Sequence, residues 1–210
     1  MKTKIIYVFF IFFSVLLFSQ EQKKVVIAPT KMNIVYIGVD NFIDIVVPEM
    51  NTDEVMAISV GASMLYVEKC KYNVRVSGGT EVEIRVSANK KCISIHHFKV
   101  KKVPDPIVEI GEKTGGIISK GELLLQATIT ARKPDFFDFD CDFQIVQFTF
   151  KTEVNGELVS YKTTNGQFSD EMKKIICELQ SGDIAIFDDI TVLVCSGETR
   201  VIEPLVFVIE

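Results

Sequence analysis

Tryptophan is absent from this 210-residue chain, and histidine occurs only twice. Without tryptophan there is no Trp-plus-disulfide centre of the antibody type. Four of the five tyrosines lie outside the N-terminal apolar run, so aromatic platforms for carbohydrate are scarce. The two histidines, His96 and His97, are adjacent. Neighbours on a strand point to opposite faces, so the pair is not placed to act on one substrate. No GxSxG segment supplies a nucleophile. A structural role is the reading for both histidines, and no catalytic residue is assigned. A hydrolase using His96 with Cys92 ranks third among the functional readings.

Cysteine is sparse and scattered, at Cys70, Cys92, Cys141, Cys177 and Cys195. The number is odd and no CxxC pair occurs, which removes support for a zinc site or a thioredoxin-like motif. Most of the five are expected as buried thiols, since free cysteine behaves as a small hydrophobe. Cys70 with Cys92 is the first pair to test for a disulfide.

Long apolar runs are missing except for one. Ile5–Phe18 is apolar at every position but Ser14 and holds five of the 16 phenylalanines. Without a second such run, a polytopic membrane protein is excluded. Met1-Lys2-Thr3-Lys4, this run and Ser19-Gln20-Glu21 have the order of an export signal. At fourteen residues the run falls short of the roughly 18–20 that span a bilayer. Residues 1–19 are therefore read as a signal peptide, with a retained anchor as the alternative. No cysteine follows the run, so lipoprotein processing is not indicated. Removing Lys2 and Lys4 leaves 21 basic against 28 acidic residues and moves the net charge from −5 to −7. Such a balance argues against nucleic acid as a partner and against docking on an anionic membrane.

Strand patterns fill the first half, residues 23–102. Phe42–Val47 is stopped by Pro48, and Val55–Val60, Met64–Val67, Tyr72–Val76, Val82–Val86 and Cys92–Val100 follow. Val82, Ile84 and Val86 alternate with Glu83 and Arg85, the period of a half-buried strand. Short strands with turns every 8–12 residues or so predict an immunoglobulin-like β-sandwich. Val103-Pro104-Asp105-Pro106 is a stiff connector, because each proline fixes its own φ and extends its predecessor. Residues 103–210 then read as a second β-rich domain with one or two short helices.

In that second half Ser119 and Glu122 have capping-box spacing, and Ser169 caps a helix over Asp170–Gln180 that ends before Gly182. Met172, Ile175, Ile176 and Leu179 share its apolar face. Asn155-Gly156 predicts a hairpin. Asp138, Asp140 and Asp142 alternate with Phe137, Phe139, Cys141 and Phe143. A calcium loop would need a glycine and a later bidentate acid, so these aspartates are read as the solvent face of a strand. Asp183, Asp188 and Asp189 are read the same way, and no metal or cofactor is expected. The apolar phase flips before Phe148, which predicts a β-bulge near Val146. Ile184–Cys195 and Val201–Ile209 close the fold as strands. Gly115-Gly116 is a turn, lacking phosphate-loop spacing. Lys90, Lys91, Lys99, Lys101 and Lys102 are read as a solvated edge-strand face.

Five segments share one resemblance. Pro29–Asn41 (PTKMNIVYIGVDN), Phe98–Pro106 (FKVKKVPDP), Gly115–Lys120 (GGIISK), Phe137–Asp140 (FDFD) and Phe187–Ile190 (FDDI) occur in the order found in the C-terminal two periplasmic domains of the GldM family. That family serves gliding motility and type IX secretion in Bacteroidetes. The resemblance implies β-sandwich domains, no enzymatic activity, a homodimer, and contact with outer-membrane-side ring lipoproteins. It implies a periplasmic protein of the secretion or gliding apparatus, without nucleic acid or small-molecule substrate. Phe42 stands where the family usually has proline, and Glu49 where glycine usually follows Pro48. The family's motor-joining transmembrane helix and preceding domains have no counterpart here, so this chain is not expected to transmit proton-motive energy itself. A free secreted or cell-surface adhesion-type module is the alternative.

Overall fold

The computed structural model describes residues 26–29, 33–48, 50–51 and 54–210. The expected signal, residues 1–19, lies outside the described residues. None of the helices described is long and apolar enough to cross a membrane.

Alternation in the first half produces eight strands: β1 (Val26–Pro29), β2 (Ile34–Tyr36), β3 (Asn41–Val46), β4 (Val55–Val60), β5 (Ser63–Glu68), β6 (Lys71–Arg75), β7 (Glu81–Ala88) and β8 (Lys91–Lys101). They form two sheets, ordered β1-β3-β6-β5 and β2-β8-β7-β4. Inward residues such as Ile43, Ile45, Val74, Val82, Ile84 and Val86 fill the space between them. Full burial of each aliphatic side chain contributes roughly 1.5–3 kcal/mol. Even-numbered residues of β7 face this core, while Glu83 and Arg85 pair on the outer side.

The second half adds β9 (Ile107–Glu109), β10 (Gly116–Ile118), α1 (Lys120–Gln126), β11 (Thr130–Arg132), β12 (Gln144–Val154), β13 (Glu157–Thr163), α2 (Asp170–Glu178), β14 (Ile184–Leu193), β15 (Thr199–Ile202) and β16 (Leu205–Ile209). Its main sheet runs β10-β16-β14-β12-β13, with β15 also on β14, while β9 and β11 pair separately. Both helices contribute to one core: Leu123 of α1, Met172 and Ile176 of α2, and Leu179 at its end join Phe148, Phe150, Phe187 and Phe207 of the sheet. The mainly β architecture of the sequence reading is therefore observed, as two β-rich domains with two short helices.

Local signals explain the ends of these elements. The Ser119 and Ser169 hydroxyls accept from the Glu122 and Met172 amides, as N-caps should. Lys120 donates to the Cys177 and Leu179 carbonyls, satisfying acceptors at the end of α2. Asn155 and Gly156 have φ of +53° and +82°, the paired positive values of a two-residue hairpin turn. The register between β12 and β14 slips on either side of Gln147, so the bulge expected near Val146 is present. A second irregularity lies opposite, where Asp189 has φ +53°. Aspartate tolerates that left-handed conformation better than most residues.

Three expectations are corrected. Phe137–Phe143 keeps its alternating burial but forms no strand; it is an extended connector leading into β12. Val201–Ile209 is two strands, because Glu203-Pro204 removes a backbone donor between β15 and β16. The Lys99–Lys101 end of β8 is not an edge, since β2 pairs with it in parallel.

Candidate functional site

The two domains meet where the loop after β2 touches the end of β14. Asn41 organises that loop and is 3% exposed. Its Oδ1 accepts from the Tyr36 amide (2.7 Å), and its Nδ2 donates to the carbonyls of Tyr36, Val39 and Val74. Gly38, inside the loop, has φ +80° and lies directly against the Ser196 backbone. Asp40 accepts from Asn73 (2.7 Å) and from Arg75. The Arg75 guanidinium, with help from Asn73, holds the Asp40 carboxyl below the usual range.

An aromatic wedge completes the contact. Phe137 and Phe139, from the connector before β12, stand edge-on to Tyr36 at centroid distances of 5.0 Å each. Together with Val39 and Val103 they form a small apolar cluster separate from both domain cores. Arg200 of β15 donates to the Val103 carbonyl (2.7 Å) and to Asp105 (2.8 Å), fixing the proline-rich connector.

A disulfide joins Cys141 to Cys195, with 5.2 Å between their Cα atoms. Both cysteines border an open groove of about 1150 Å³ at the junction, beside Gly38, Asp40, Arg75 and Phe139. Cys70, Cys92 and Cys177 are free thiols, and the latter two are exposed. Two expectations about cysteine thus fail. Cys70 sits in the β5–β6 turn of one sheet and Cys92 on β8 of the other, so they do not pair. Most of the thiols are also not buried core residues.

The histidines take the opposite faces that strand geometry requires. His96 is half-buried, bonded to Ser94, while the exposed His97 is paired with Glu81 at 3.0 Å. Burial, and secondarily His97, lowers the affinity of His96 for a proton. Cys92 instead bonds the Ser94 carbonyl at 3.7 Å. Among the described residues no group of three or more His, Cys, Asp or Glu is placed to hold a metal ion. Asp188 pairs with Lys151 (2.6 Å), and that bond with the Asp189 amide holds its carboxyl low. Gly115 lies in the bend that leads into β10 and Gly116 opens that strand, both with positive φ.

One face of the second domain's main sheet carries no helix. Ile117, Val208 and Ile184 lie side by side on β10, β16 and β14, at 65%, 39% and 48% exposure. Val206 and Ile186 form the next row.

Residues 24–101 match the GldM third domain, and residues 104–210 match the GldM C-terminal domain. The chain belongs to the GldM family. The family is a structural component of motility and secretion, not a known enzyme family. The described residues of the matched motifs lie in the Asn41 loop, the connector, the bend and cap before α1, the aromatic wedge and the β14 irregularity. No curated protein matches the chain. Among solved structures it is similar to the Yersinia pseudotuberculosis adhesin InvE, at 12% identity over 88% of this chain and 58% of that one, with a TM-score of 0.27. It is similar also to human mucin-like protocadherin EC1-2, at 13% identity over 88% and 98% of the two chains, with a TM-score of 0.25. The chain spans less than two thirds of the InvE chain.

Proposed function

We propose that this protein is a non-catalytic assembly module of a gliding-motility or type IX secretion apparatus, working in the periplasm. Residues 1–19 serve as its export signal, and residues 23–102 and 103–210 act as two linked binding domains. It forms a homodimer and contacts outer-membrane-side ring lipoproteins. Membership of the GldM family along both halves of the chain carries this reading. The braced junction supports it, since an assembly module must hold a defined relation between its domains. The uncovered apolar rows on the second sheet also support it, because such patches commonly mark protein-binding surfaces.

Crosslinking in the native envelope, followed by identification of the captured proteins, tests the reading. Ring components of the secretion or gliding complex are the expected partners. Recovery of the protein only from the culture medium, with no envelope partner, would overturn it. Light scattering on the purified chain tests the homodimer; a monomer at high concentration would remove that part.

A further inference from the structure

We propose that Cys141–Cys195 is a thiol–disulfide exchange site, and that its reduction by a dithiol unlocks the junction between the two domains. Both cysteines belong to the second domain, yet what they hold together is the contact with the first. Cys195 immediately precedes Ser196, the backbone on which Gly38 rests. Cys141 closes the connector that presents Phe137 and Phe139 to Tyr36. That connector has no strand pairing of its own. The disulfide is therefore the covalent tie between the two halves of the junction's second-domain surface.

Two further observations make the bond an exchange site as well as a brace. Both cysteines are half-buried and border the open groove, so an incoming thiolate has a route to them. Both also lie outside the two main cores, in the separate junction cluster. Opening the bond thus leaves the sheets intact. A thiolate of the dithiol attacks one sulfur, forming a mixed disulfide and releasing the other cysteine as a thiolate. The dithiol's second sulfur then displaces the first cysteine. Two electrons pass to the protein, two protons end on Cys141 and Cys195, and the dithiol becomes a disulfide.

The test treats the folded full chain with dithiothreitol, alkylates it with iodoacetamide and maps the modified peptides. Reduction should add two alkyl groups, on Cys141 and Cys195, with the far-ultraviolet circular dichroism unchanged. Trypsin cleavage after Lys102 and Arg132, beside the junction, should accelerate by about tenfold as local opening becomes easier. The Cys141→Ser/Cys195→Ser double variant should show the fast cleavage without reductant. If that variant fails to fold, the reduced wild-type chain decides alone. Alkylation of the pair only after denaturation would overturn the proposal, and so would full reduction with unchanged cleavage at both sites.

Discussion

A Cβ atom built on Gly38 would stand 2.5 Å from the Cα of Ser196, closer than real Cβ contacts come. The neighbour is backbone and cannot rotate away. Gly38 also has φ +80°, which other L-residues adopt only at a cost. Gly38→Ala therefore combines conformational strain with a steric push between domains, and should destabilise the joined form by about 2 kcal/mol or more. Proteolysis beside Lys102, compared with denaturant melting of each domain, checks this. The junction should open before either core melts.

Asn41 should be the most sensitive polar residue of the same loop. Four bonds to backbone groups depend on its one side-chain amide. Asn41→Ala leaves the Tyr36 amide and three carbonyls to find new partners in a buried setting. A loss of about 4 kcal/mol is expected, summing ordinary bonds and the penalty for unsatisfied groups. Asn41→Asp keeps the acceptor but loses every donor, so it should rescue little. Urea unfolding of the three proteins measures the difference.

Residues whose role is local were legible in the sequence. Ser119, Ser169 and Asn155-Gly156 act through neighbours within a few positions, and the alternation of β7 follows from one strand meeting one core. Residues whose role is tertiary were not. Cys141 and Cys195 are 54 positions apart, and no spacing announces that a connector folds back onto the end of β14. Phe137 and Phe139 have strand-like alternation because they insert into an interface, not because a neighbouring strand pairs with them. The Asn41 motif could be recognised as a family feature. Its physical reason, a side chain bonding both its own loop and Val74 on β6, required the fold.

Acidification should weaken the first domain through His96. Its folded affinity for protons is lowered, chiefly by burial. The neutral form thus contributes stability that is complete above the ordinary histidine range. As pH falls through that range the unfolded chain takes up a proton that the folded chain resists, and stability declines until the folded value is passed. Urea midpoints should drop between pH 8 and pH 5 or so, the interval bracketing histidine titration. His96→Gln should flatten that slope.

Phe187 tests whether the junction couples the two cores. Its ring lies 5.2 Å from both Phe150 and Phe168, 5.9 Å from Phe148 and 6.2 Å from Phe207, at the centre of the second core. Phe187→Ala should cost about 3–5 kcal/mol, and Phe187→Leu, which keeps more of the volume, less than about 1.5 kcal/mol. Ile84→Ala, in the first core, should cost about 2–5 kcal/mol. If Gly38, the wedge and the disulfide brace the domains, each alanine variant should lower the unfolding midpoint of both domains, read separately by hydrogen exchange in β7 and β14. A change confined to the mutated domain would mean that the junction positions the domains without sharing stability between them.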